Sequence, residues 1–195
     1  GRPQMLAKTV CKAVQALMPA LLTRLLVSLA ACSATAVLAD SEPSKGSYAD
    51  LSPRMQERVS CSVAAANHYQ IPANIMLALA EIENGNPGQY VKNTNGTSDV
   101  GAMQFNTAYL RDLRKHGISE ADAAAPGCYP YHLAAWRVRQ HIVNDNGDLW
   151  TKVANYHSRT PRYNSRYRLK LIRGAAKWAD WLEARMATVD VRGRF

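Results

Sequence analysis

Glu83 is the residue around which chemistry can be built, and it lies in the stretch 76–106, MLALAEIENGNPGQYVKNTNGTSDVGAMQFN. Met76, Leu79 and Ala80 fall at helical spacing, and the same face continues onto Glu83. Glu81 lies about 200° around the helix from that face, with Asn74 and Ala78. Asn84-Gly85 stops the helix and Pro87 follows. A carboxyl group on the buried face of a last helical turn is disfavoured as an anion, by desolvation and by the negative end of the helix dipole. Held protonated near neutral pH, it can protonate a leaving-group oxygen, which is what cleavage of a glycosidic bond requires. The plainer alternative is a glutamate that swings past the helix end into solvent.

The elements that must position Glu83 read as helical nearly throughout. Ser52-Pro53 opens a first helix, with Met55, Val59, Val63 and Ala66 on one face. A second covers about 73–84 and carries Glu83. A loop of some fourteen residues follows, a length that in compact domains usually carries function; Asn95-Gly96 within it suits a tight turn. Asn106 or Thr107 caps a third helix ending before Gly117, and Ser119-Glu120 opens a short fourth. Tyr131, Ala135, Val138 and Ile142 mark a fifth, Leu149, Val153 and Tyr156 a sixth, and Tyr167, Leu171, Ala175, Trp178 and Leu182 the last. There is no repeat and no nucleotide-binding glycine motif.

The first 39 residues read as a signal peptide. They hold Arg2, Lys8, Lys12 and Arg24 and no acid, and residues 25–39, LLVSLAACSATAVLA, carry no charge and end in small side chains. Pro19 and Arg24 break the longer apolar run, which argues against a permanent span. Leu29-Ala30-Ala31-Cys32 resembles a lipoprotein acylation motif, the alternative being a small-residue run that contains a cysteine. Residues 40–50 read as a polar tether and 188–195 as a basic tail, leaving 51–187 for one domain. Beyond the leader the only cysteines are Cys61 and Cys128, and an even pair in an exported domain favours a disulfide. Neither lies in a histidine-bearing motif, and the five histidines show no metal-ligand spacing. The chain is +9, with eleven Lys or Arg against three Asp or Glu in residues 151–195. No DNA- or RNA-binding motif accompanies that charge, so nucleic acid is not the expected partner. An acidic envelope polymer suits a basic surface, and so does a merely solvated helix face.

Three motifs in order then resemble a known family. ALAEIENG followed by GAMQFN is similar to the E-S…G-L-M-Q pair of lytic transglycosylases of the lysozyme superfamily, with Asn84 where serine is usual. NYHSRTP (155–161) and Tyr167 resemble that family's A-Y-N-A-G segment and the tyrosine after it. The likeness covers about 55–185, and by pattern it is nearest the small specialised transglycosylases of type IV secretion, conjugation and pilus machines. It implies an all-α (α+β lysozyme-like) domain with a short hairpin-like loop beside the active site. It also implies cleavage of the β-1,4 bond between N-acetylmuramic acid and N-acetylglucosamine in peptidoglycan, with no metal or organic cofactor. Glu83 would be the acid and base. Asp99 holds the position of the second carboxylate of animal lysozymes; the alternative is a turn residue bonded to its own loop.

The remaining site residues follow from the same resemblance. Gly101 would bring the backbone close to the sugar or to Glu83, and Met103 and Gln104 would contact the glycan. Tyr156 and Tyr167 would line the cleft. Without the resemblance, Met103 reads as core, Gln104 as surface, and both tyrosines as core aromatics with wet hydroxyls. Relatives carry cysteines at places comparable to Cys61 and Cys128. A different class of function, a glycan-binding scaffold of an envelope machine, is left room by Asn84, Ala102 and the divergent NYHS segment.

Overall fold

Ser52 opens the first long helix by accepting the Met55 amide (3.3 Å), with Pro53 at its first position. The computed structural model describes residues 48–192, with side chains described to 185. The leader with Cys32, and tether residues 40–47, lie outside the described residues. Among those described, seven α-helices surround one small sheet. α1 (Pro53–Tyr69) ends at Gln70, and α2 (Ala73–Glu83) follows after a short connection.

α2 is the axis of the molecule. Six consecutive residues, Ile75 to Ala80, are at most 1% exposed, so the helix is buried on every side rather than along one stripe. It packs mainly on α1 and on the last helix, α7 (Pro161–Arg192). α7 presents Tyr167, Leu171, Ala175 and Trp178, all buried, at 4-4-3 spacing. Gly174 lets the two helices approach closely, since a Cβ there would lie 3.0 Å from the Ala78 Cβ. The side of α2 that carries Glu81 is stitched to α7: Lys177 and the Trp178 indole N–H (2.7 Å) both donate to Glu81, and Asn74 donates to the Ala175 carbonyl (3.1 Å). α7 runs on to Arg192, into the segment read as a basic tail.

The loop after α2 folds as a three-stranded antiparallel sheet. β1 (Tyr90–Lys92) pairs with β2 (Ser98–Val100), and β2 with β3 (Phe105–Asn106), placing Asp99 opposite Asn106. Gly96 takes the left-handed conformation (φ 81°) in the connecting turn, as the Asn95-Gly96 pair predicts. The third strand is not foreseen from sequence, because two residues are too few to show alternation. Val100 and Phe105, both fully buried, fix the sheet to the core.

The remaining helices end where their caps predict. Asn106 caps α3 (Thr107–Leu113) by accepting the Ala108 amide, and Gly117 (φ 76°) closes the 3-10 turn behind it. Ser119 and Asp122 form a reciprocal capping box on α4 (Glu120–Ala124). α5 (Tyr129–Asn144) and α6 (Leu149–Ala154), the latter capped by Asp148, complete the set. α6 stops short of Tyr156, which lies in a turn rather than on the helical stripe assigned to it.

A disulfide joins Cys61 on α1 to Cys128 at the start of α5, across 67 residues of chain. Loop-closure entropy makes a bridge of that span worth about 4 kcal/mol. The Cys61→Ala/Cys128→Ala protein should therefore unfold at markedly lower urea concentration, and native protein denatured without reductant should show no free thiol at either position.

Candidate active site

Glu83 is the last residue of α2, and burial raises its carboxyl pKa from 4.5 to about 7. Three groups work against that shift: the Tyr167 hydroxyl, which donates to the Glu83 Oε1, and the more distant charges of Arg137 and Lys170. Asp99 adds to it by like-charge repulsion. A carboxyl poised near neutrality can give up a proton and take it back over the same pH range. Tyr167 is itself buried, and its phenol is pushed well above the usual range by burial and by Glu83. It stays a hydrogen-bond donor at any working pH.

The end of α2 is held by backbone geometry. Asn84 takes the left-handed conformation (φ 46°), which asparagine tolerates better than most residues, and its side chain accepts from buried Arg58 (2.8 Å). Arg54 donates to the Asn84 and Gly85 carbonyls (3.2 and 2.9 Å), which the helix leaves without partners. Gly85 then lies against the turn that begins at Gly101: its amide donates to the Ala102 carbonyl (3.2 Å). A Cβ on Gly85 would fall 2.0 Å from the Gly101 oxygen. The E-N-G and G-A-M-Q motifs are two sides of one backbone seam.

Two lobes of a cleft meet at Glu83. One, of about 300 Å³, is lined by Ile82, Glu83, His157, Tyr163, Arg166, Tyr167 and Lys170. The other, of about 350 Å³, is lined by Glu83, Asp99, Gln104, Asn106, Arg137, Tyr156 and His157. Glu83 and His157 belong to both. Glu83 lies where the two lobes adjoin, so a carboxyl that can exchange a proton near neutral pH lines both.

Each residue singled out from sequence has a definite place. Asp99 shares a lobe with Glu83, and its carboxylate accepts from Asn106 (3.0 Å), which also donates to Thr97 (2.9 Å). Gln104 lines the same lobe, with its amide nitrogen donating to the Gly101 carbonyl (2.9 Å). Tyr156 forms part of that lobe's wall while its hydroxyl donates to the Met103 carbonyl (2.8 Å). Gly101 differs from expectation: its close neighbour is the Ala123 carbonyl of α4, 2.0 Å from where a Cβ would stand, at φ 71°. Met103 also differs. Its side chain is fully buried and lines neither lobe, so its part here is packing plus the carbonyl that anchors Tyr156.

IpgF of Shigella flexneri is 32% identical to this chain over 114 residues, 58% of this chain and 74% of that protein. The chain belongs to the IpgF family. The invasion protein IagB of Salmonella typhimurium is similar at 28% identity over 101 residues, 51% of this chain and 62% of that protein. No family model matches the chain.

In this IpgF-family chain, two residues of the cleft escape a reading of the sequence. Arg137 lies over the rings of Tyr109 (4.0 Å) and Tyr156 (4.6 Å), and its charge favours the ionised form of Glu83. On α5 it falls beside the apolar stripe and reads as an ordinary surface arginine. His157 stacks flat on Tyr167 (4.7 Å, 5°), and burial lowers its pKa, so the ring is neutral at pH 7. The NYHSRTP turn that carries it is pinned by Asn164, which donates to Asn155, Ser158 and Thr151, and by Asn155 donating to Asp145 (2.8 Å). The departure of this turn from the transglycosylase pattern is the one signal in the sequence that could have found His157.

Proposed function

We propose that the chain is a peptidoglycan lytic transglycosylase, exported to the periplasm, that cleaves the bond between N-acetylmuramic acid and N-acetylglucosamine. The observation that carries this is a single carboxyl of pKa about 7 that lines both adjoining lobes, bonded to one tyrosine hydroxyl. Protonated Glu83 gives its proton to the glycosidic oxygen as that bond breaks. The resulting carboxylate takes the proton of the muramoyl 6-hydroxyl, whose oxygen closes a 1,6-anhydro ring on the oxocarbenium-like carbon. Proton count balances across the two steps, and Glu83 ends as it began. Tyr167 holds the carboxyl in one rotamer between them, and Arg137 supports the anionic stage.

The leader, the polar tether and the disulfide favour export, with acylation at Cys32 as the anchored variant of the same reading. Likeness to a protein described as an invasion protein favours service to an envelope-spanning secretion, conjugation or pilus apparatus, by local opening of the wall. The test is release of soluble muropeptides from purified sacculi by the disulfide-bonded domain. No release would leave the glycan-binding scaffold as the standing alternative.

Tyr167→Phe offers a second test through pH. The hydroxyl favours the ionised form of Glu83, so its loss moves that pKa above about 7. The high-pH limb of kcat/KM should shift upward while the maximal rate falls, because the carboxyl loses the group that orients it. An unchanged limb would detach Tyr167 from the proton donor.

A further inference from the structure

The lobe lined by Tyr163 and Tyr167 has a basic wall that proton transfer does not use. Arg166 and Lys170 line it, both are exposed, and neither has an ion pair among the described residues. They stand four residues apart on α7, and Arg162 and Arg173, also exposed and without ion pairs among the described residues, extend the row in both directions. The four fall within an arc of about 80° and along about 16 Å of helix. Residues 161–185 carry seven Arg or Lys against two Asp or Glu. On α2, the Glu81 carboxylate is engaged by Lys177 and Trp178, and Glu83, which shares the lobe with the row, is bonded by Tyr167. A cationic row whose middle lines the lobe and whose two ends lie outside its lining fits a ligand attached to the cleaved polymer.

We propose that Arg166 and Lys170, continued by Arg162 and Arg173, bind the carboxylates of the peptide stem carried by the muramoyl residue, making peptide-bearing strands the preferred substrate. This rests on the peptidoglycan reading of the site. The stem is a short acidic peptide, and five extended residues at ~3.3 Å each span about 16 Å, the length of the row. Guanidinium and ammonium groups without an ion pair among the described residues can bond free carboxylates, and the lobe places them beside the sugar that bears the peptide. A flat anionic surface is a poorer fit, because Arg166 and Lys170 line a concave lobe shared with Glu83, His157 and Tyr167.

The test compares kcat/KM on peptide-bearing glycan strands with kcat/KM on the same strands stripped of peptide by an amidase. The ratio is informative because any change that Lys170 makes to the Glu83 proton affects both substrates alike. At low ionic strength the wild-type ratio should be about tenfold in favour of peptide-bearing strands and should approach one in high salt, the scale of two partly exposed charge pairs. In Arg166→Gln/Lys170→Gln the ratio should fall to about one at every salt concentration, with thermal unfolding unchanged. Arg162→Gln/Arg173→Gln, farther from Glu83, should lower it by less. A wild-type ratio of one, or a ratio that both pairs leave unchanged while both substrates are cleaved, overturns the inference and leaves the enzyme reading standing. Failure to cleave either substrate removes both together. Binding to phosphatidylglycerol vesicles that the first variant loses, with the ratio unchanged, would assign the row to lipid and overturn the peptide assignment.

Discussion

Glu83→Gln should release no muropeptide above background while folding more stably than the native chain at alkaline pH. Loss of one acid–base group costs about 10²–10⁴ in rate, and more when it serves two steps. The stability gain follows from the raised pKa. A carboxyl at about 7 in the folded state and 4.5 when unfolded favours folding only in its protonated form. Below about pH 4.5 both states are protonated and Glu83 costs nothing. Between about pH 4.5 and 7 the native state is progressively penalised, by up to about 3 kcal/mol, and above 7 the penalty stays constant. Urea unfolding at pH 8 should therefore show the glutamine variant more stable, and at pH 4 equal. Glu81→Gln is the matched control: it weakens the contact with Lys177 by about 0.2–1 kcal/mol and leaves turnover near the native level. Reversal of the two activities would show that the proton donor had been assigned to the wrong face of α2.

Digested sacculi should yield 1,6-anhydro ends, about 20 mass units below the reduced hydrolytic product, and Asp99→Asn should retain substantial activity. Asp99 shares the lobe with Glu83, but its carboxylate is engaged by Asn106, whose side chain also holds Thr97 and caps α3. An asparagine there can still accept from Asn106, so the substitution isolates the charge. Removing that charge takes away a repulsion that raises the Glu83 pKa, and the high-pH limb should move slightly downward. The hydrolytic alternative makes the opposite demand. It requires the two carboxylates about 5–5.5 Å apart, a reducing-end product and an inactive Asp99→Asn protein. An excess of reducing ends together with that inactivity would make the chain a lysozyme in mechanism.

Local signals account for what the sequence reveals. Ser52, Asn106 and Ser119 each mark a helix start because a short oxygen-bearing side chain satisfies orphan amides nearby in sequence. Glu83 is legible because its buried face is set three and four residues earlier. Arg137 is not, because the rings it lies over come from positions 109 and 156 and meet only in the folded chain. Gly101 shows the same limit. Its type signals a close approach, but the neighbour, Ala123, is supplied by a helix that no spacing rule connects to it. Met103 is core, as its chemistry alone implies, and only the resemblance places it on the glycan.

The long reach from Glu83 to Tyr167 bears on the order in which the protein comes into being. The partners that α7 packs on α2, Tyr167, Leu171, Ala175 and Trp178, follow Glu83 in the chain by 84 residues and more. Until they dock, the carboxyl has water around it and an ordinary pKa near 4.5, and at neutral pH it has no proton to give. A chain that has emerged only as far as its sheet holds the glutamate without the acid. The raised pKa arrives only when α7 docks on α2, so the acid belongs to the folded domain and not to the segment that carries the glutamate.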